Sequence, residues 1–272
     1  MTHPKLAFIG AGNMARSIIG GLVAEGYPAD AISASDLHQD TLDAMVRDFG
    51  IGVGASDTLA ANADVIVLAV KPQGLKAVAQ SLQPSLTHRP LIISIAAGIT
   101  AESLAQWLGQ EQAIVRCMPN TPSLVKAGAS GLFANTHTSN TQKAVAEQVM
   151  SAVGLVEWFD DERQLDAVTA VSGSGPAYYF LVMEAMIDAA ESLGLPRDSA
   201  TRLTLQTALG AAELARASDV DVAELRRRVM SPGGTTERAI QSFEQDQLRA
   251  TFARAMTLCA ERSAELAKEL GN

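Results

Sequence analysis

Beyond residue 140 this 272-residue sequence has no histidine and almost no lysine. His3, His38, His88 and His137 all precede residue 140, and no lysine lies between Lys143 and Lys268. Enzymes that reduce or form a carbonyl usually place such a side chain at the reacting oxygen as acid or base. Tyr178 and Tyr179 remain, but no lysine follows to activate either one. A substrate handled by this half must therefore need little proton chemistry. An imine fits, because it can be protonated beforehand to an iminium that hydride then reduces. Cysteine is scarce too: Cys117 and Cys259 lie far apart and in no metal-ligand spacing. We expect two thiols in a reducing compartment, no disulfide and no metal. Aromatic residues make up only 4% of the chain. No apolar run reaches the ~20 residues of a membrane helix. The formal net charge of −9 repels phosphate backbones and anionic lipid, so neither nucleic acid nor membrane is an expected partner. The opening MTHPKLAFIG runs into a strand pattern without a signal-peptide layout, and cytoplasm is the expected location.

Apolar residues make up 47% of the sequence and charged ones 19%, enough for a large core. Up to about residue 162, short Val/Ile/Leu-rich runs alternate with helical patterns. Leu6–Gly10, Ala31–Ser35, Val65–Val70, Leu91–Ala97 and Ile114–Met118 read as parallel strands covered on both faces. Gly131–Asn135 and Leu155–Phe159 extend the sheet edge, and Asn13–Glu25 and Gln39–Phe49 read as helices. From residue 163 the pattern becomes helical: Tyr178–Leu193, Ala200–Ser218, Ala223–Met230, Thr235–Phe243 and Leu248–Leu270. The expected fold is a Rossmann-like doubly wound parallel α/β sheet over 1–162, then an all-α domain over 163–272. YYFLVMEAMIDAA is apolar on nearly every face, which predicts that the helical domain is buried against a second copy.

Gly10-Ala11-Gly12-Asn13-Met14-Ala15 follows the first strand and opens the first helix. That context turns a weak glycine motif into a dinucleotide fingerprint. Gly10 permits the turn, Gly12 lets the pyrophosphate approach, and Ala15 packs helix on strand. At the end of the second strand, Asp36 suits ribose hydroxyls and hence NADH. Ser33 and Ser35 can instead donate to a 2′-phosphate, which leaves NADPH and NADH both open. Ala69-Val70-Lys71-Pro72 and Ala96-Ala97-Gly98 end the third and fourth strands, where ribose and nicotinamide would lie. Asn120, between two prolines, presents an amide to the nicotinamide edge.

In the second half, Ser231-Pro232-Gly233-Gly234-Thr235-Thr236-Glu237 reads as an N-cap serine and N1 proline. Its glycines allow successive N–H groups to form an anion nest at a helix start, suited to a substrate carboxylate. Ser172-Gly173-Ser174-Gly175-Pro176-Ala177 precedes another helix and serves either close helix approach or a wall of the active site.

With GAGNMA, AVKP, AAG, CMPNTP, SGSGPAY and SPGGTT in this order, the chain resembles the pyrroline-5-carboxylate reductase family along essentially its whole length. The resemblance implies a helical domain interlocked with its mate, an active site shared at the dimer, and often dimers gathered into a decamer. It implies reduction of (S)-1-pyrroline-5-carboxylate to L-proline, the last step of proline biosynthesis, and leans the cofactor choice toward NADPH. By position, Gly10, Ala11, Gly12, Asn13, Met14, Ser35, Asp36, Ala69–Pro72 and Ala96–Gly98 correspond to cofactor contacts. Ser231, Gly233, Gly234 and Thr235 correspond to the carboxylate site, and Thr236 to the hydroxyl that meets the ring nitrogen. Ser56, Asp219 and Arg228 differ in residue type from contacts of some members. Two rivals remain at this level. A β-hydroxyacid dehydrogenase needs a lysine early in the helical domain, and none is there. A non-catalytic NAD(P)-binding sensor has no use for the SPGGTT nest.

Overall fold

Three of the apolar runs, β1 (Leu6–Ile9), β4 (Val65–Leu68) and β5 (Leu91–Ser94), are buried at every position. Parallel strands packed between two helix layers require such burial. The computed structural model describes residues 3–271. Between and after these strands come α1 (Asn13–Ala24), β2 (Ile32–Ser35), α2 (Gln39–Phe49), β3 (Gly52–Val53), α3 (Ser56–Ala60), α4 (Pro72–Leu82) and α5 (Ala101–Leu108). Then follow β6 (Ile114–Met118), β7 (Gly128–Ala134), α6 (Asn140–Ser151), β8 (Gly154–Trp158) and α7 (Gln164–Val168). A π-helical turn (Thr169–Gly173) leads into α8 (Gly175–Ser192), α9 (Arg197–Ala217), α10 (Val222–Arg228), α11 (Thr235–Gln245) and α12 (Leu248–Leu270).

The strands form one sheet in the order β3-β2-β1-β4-β5-β6-β7-β8. Every pairing is parallel except β6 with β7. Leu6 is in register with Ile32 on one side and Val65 on the other. The chain runs from β1 out to β3, returns to β4, and continues the other way. The carboxyl ends of β1 and β4 thus form the switch point where open α/β sheets bind ligands. One sheet face buries Phe8, Ile18, Ile19, Leu22 and Met45. The other buries Ile9, Ile66, Leu75, Ile92 and Leu104. Each such side chain contributes about 1.5–3 kcal/mol by leaving water. The sheet is the doubly wound, Rossmann-like one expected from the pattern. The strand β3 was not expected: its two residues are both exposed, so no hydrophobic period marks it.

By packing, the chain falls into two compact units. One contains the sheet and its helices up to Ser174 and takes the chain back from Leu258 onward. The other is Gly175–Thr257. Leu165 and Ala170 are buried, and a Cβ added at Gly131 of β7 would lie 2.7 Å from the Val168 side chain. The change of pattern at residue 163 therefore marks where the helices start, whereas the packing changes after Ser174.

The helical unit has very little core of its own. Among its described residues, Ala200 and Thr204 alone have buried side chains. Tyr179, Phe180 and Leu181 of α8 are 67%, 63% and 66% exposed. Helices this apolar outside need a partner surface, which self-association supplies. Among the described residues, no helix is long and apolar enough to cross a membrane.

Candidate active site

The glycine loop sits at the switch point. Gly10 has φ +97°, and a Cβ there would lie 2.7 Å from the Ala69 carbonyl oxygen. Only glycine lets the first turn pass the end of β4 this closely. Gly12 is the opposite case: nothing lies within 4 Å of where its Cβ would be. It is the N-cap of α1, and no side chain caps that end. The positive pole of this 12-residue helix is thus uncapped by any side chain and open beside Gly12, the arrangement that receives a pyrophosphate. Ala11 and Ala15 are buried beneath it. These features fit a nicotinamide dinucleotide.

Asp36 stands beside this loop. Its Oδ2 accepts from the Ala11 N–H at 2.8 Å and its Oδ1 from the His38 N–H at 3.0 Å. Ser35 is buried, and its hydroxyl lies 2.9 Å from that of Ser56 at the start of α3. The aspartate thus organises the loop, while a pair of hydroxyls stands next to it.

Beyond β4, Ala69 and Val70 are half-buried. Lys71 is the exposed N-cap of α4, and Pro72 takes its N1 position. Beyond β5, Ala97 is exposed, whereas Ala96 and Gly98 are buried. The structure therefore gathers Gly10, Ala69–Pro72 and Ala96–Gly98 at the carboxyl ends of neighbouring strands. Asn120 is held between two loops. Its Nδ2 donates to the Ser172 carbonyl at 3.0 Å, and its Oδ1 accepts from the Ala129 N–H at 2.9 Å. It is 8% exposed. Those two bonds clamp one loop to another and leave one Nδ2 hydrogen uncommitted.

The SPGGTT segment also differs from its sequence reading. α11 begins at Thr235 with Gly234 as N-cap, so Ser231 and Pro232 are not cap and first helical residue. Gly234 N–H donates to the Ser231 carbonyl at 2.9 Å, and Gly233 has φ +72°. That turn, in a left-handed conformation only glycine adopts freely, moves the cap three residues past Ser231, to the position just before the helix start at Thr235. Ser231, Gly233, Thr235 and Thr236 are exposed. Gly233 N–H points to the Glu237 carboxylate, 2.7 Å away. The loop does hold a carboxylate on its amide, one from its own chain.

A family model described as pyrroline-5-carboxylate reductase dimerisation matches residues 162–266. Another, NADP oxidoreductase coenzyme F420-dependent, matches residues 5–98. A pyrroline-5-carboxylate reductase of Pseudomonas aeruginosa is 57% identical over 272 residues, covering all of both chains. This chain belongs to the pyrroline-5-carboxylate reductase family. The solved reductase of Coxiella burnetii is 47% identical, with TM-score 0.95 over 98% of this chain and 99% of that one. A Plasmodium falciparum pyrroline carboxylate reductase with NADP bound is 30% identical, with TM-score 0.87 over 98% and 99% of the two chains.

Two interactions beside these segments were not read from the motifs. Glu237 stands at the third helical position, where an acid commonly reaches back to a free amide, so its spacing was a readable signal. The ion pair of Arg116 and Glu162 is the other. They meet only through the tertiary fold, 46 residues apart, and nothing local marks them.

Proposed function

We propose that this chain reduces (S)-1-pyrroline-5-carboxylate to L-proline, the last step of proline synthesis, with NADPH preferred over NADH. Likeness over the full length to a reductase of that name carries the reading. We assign 1–162 to cofactor binding and 163–272 to substrate binding and dimerisation. Gly10, Ala11, Gly12, Asn13 and Met14 take the pyrophosphate, and Ser35 and Asp36 face the adenosine ribose. Ala69–Pro72 and Ala96–Gly98 line the remainder of the cofactor. Bound NADPH supplies a hydride. Ser231, Gly233, Gly234 and Thr235 hold the substrate carboxylate, which takes over the amide now bonded to Glu237. The Thr236 hydroxyl donates to the ring nitrogen, whose lone pair reappears as C5 is reduced. Positioning is the main catalytic contribution, since the helical domain offers no histidine and no lysine before Lys268. The working assembly is a cytoplasmic homodimer that completes the site, gathered further into a decamer. Purified chain should oxidise NADPH when pyrroline-5-carboxylate is added, and absence of turnover with that substrate rejects the reading.

A further inference from the structure

The loop between β5 and α5 is gripped from outside the cofactor site. Glu162 Oε1 accepts from the Ala101 N–H at 2.6 Å and from Arg116 at 2.8 Å. Ala101 is the first residue of α5, so one carboxylate caps that helix and neutralises a cation. Arg116 is only 12% exposed and Glu162 25%. A guanidinium so far from water is costly without its counter-charge. On the other side, Gly98 has φ +72°, and a Cβ there would lie 3.3 Å from Leu266 Cβ on α12. Ser103 Oγ donates to the Gly271 carbonyl at 3.2 Å and bonds Thr100 Oγ1 at 2.9 Å. The segment Ala96–Thr100 is therefore fixed at both flanks by groups that are neither in the glycine loop nor in SPGGTT.

We propose that Glu162 is a positioning residue for the cofactor: through the Ala101 amide and Arg116 it holds Ala96–Gly98 in the shape that receives the dinucleotide. The inference rests on the assignment of Ala96–Gly98 to that site. Without the carboxylate, Arg116 and the start of α5 are left facing each other as an empty anion site. A small carboxylate from solution should fill it. A side chain that mattered only for folding would show no such rescue.

The test uses full-length Glu162→Ala and Glu162→Gln, with NADPH affinity read by fluorescence titration in sodium formate and in sodium chloride of equal ionic strength. Circular dichroism checks folding. Glu162→Ala should raise the Kd for NADPH about tenfold, the effect of one charge-assisted hydrogen bond. Formate, and not chloride, should bring it back to within about threefold of wild type. Glu162→Gln keeps an acceptor for Ala101 and should fall between. Folded Glu162→Ala with wild-type Kd overturns the proposal, as does a loss that formate fails to restore. If Glu162→Ala does not fold, wild-type Kd in Glu162→Gln overturns it. Wild-type chain that binds NADPH but does not reduce pyrroline-5-carboxylate rejects the proposed function and leaves this test intact.

Discussion

The Ala11 amide and the Asp36 carboxylate are bonded at 2.8 Å, so the acid that ends β2 is tied to the glycine loop of β1. Its second oxygen is on His38 N–H. Replacing Asp36 by alanine should therefore loosen the loop for both cofactors, raising KM for NADPH and NADH about tenfold each, as expected for a hydrogen bond to a charged group. A loss confined to NADH would show that the carboxylate serves the ribose. In the wild type, kcat/KM should favour NADPH, and a tenfold preference for NADH would reverse that assignment.

Thr236 stands on the first turn of α11, one residue past its start. In the proposed role, its contact with the ring nitrogen would strengthen as the nitrogen lone pair appears, so its loss should act on the transition state more than on the ground state. Thr236→Ala should lower kcat roughly tenfold to a thousandfold, about 1.4–4 kcal/mol. NADPH binding and folding should be retained. Unchanged kcat in steady-state assays would remove Thr236 from the mechanism.

Glu237 holds the amide that the substrate carboxylate is assigned to. Neutralising it weakens the internal competitor, because bonds to a charged acceptor are about twice as strong as neutral ones. Glu237→Gln should lower KM for pyrroline-5-carboxylate by about threefold with kcat little changed. A raised KM would show that Glu237 supports the nest instead of occupying it.

The exposed α8 face predicts an obligate dimer, whose interface should bury more than about 2,000 Å² in total. Leu181→Glu places a charge on that face and should abolish the folded dimer. Light scattering that finds a stable folded monomer of the wild type at micromolar concentration refutes the prediction.

Tyr27 is buried and donates to the Pro4 carbonyl at 2.5 Å. Burial, and secondarily Asp64, pushes its pKa from 10.0 up to about 12. A group whose folded pKa is raised stabilises the fold fully below its unfolded value and less as pH climbs through the folded one. Its contribution is thus intact below pH 10 and lost between pH 10 and about 12. Thermal melts of Tyr27→Phe should decline less steeply across that window than those of wild type. Equal slopes would show that the phenol stays out of the linkage.

Periodicity made the long elements legible. α2, α12 and β6 run over the residues the pattern assigned, because each shows a full apolar stripe or run. Elements too short to carry a period, such as β3 and α3, left no trace. The glycine loop was readable because its chemistry is local, the motif being both turn and binding surface. The partners of Asn120, Ser172 and Ala129, were not legible because only the fold brings them to it. The start of α11 at Thr235 was read correctly, but its cap was misplaced, because the φ of +72° at Gly233 decides whether Ser-Pro begins a helix, and glycine accepts either sign.

The helix α12 belongs to two units along its length: residues up to Thr257 pack with the helical unit and those from Leu258 with the sheet. The sheet's partners in that last stretch include Leu270, packed on the core beneath α4 and α5, and Leu266 against Gly98. During synthesis, residues 258–271 leave the ribosome after every residue of the helical unit. The cofactor-binding unit, begun first, is therefore finished last. Until then its β5–α5 loop lacks one of its two flanks, so a nascent chain carries a sheet before it carries a complete dinucleotide site.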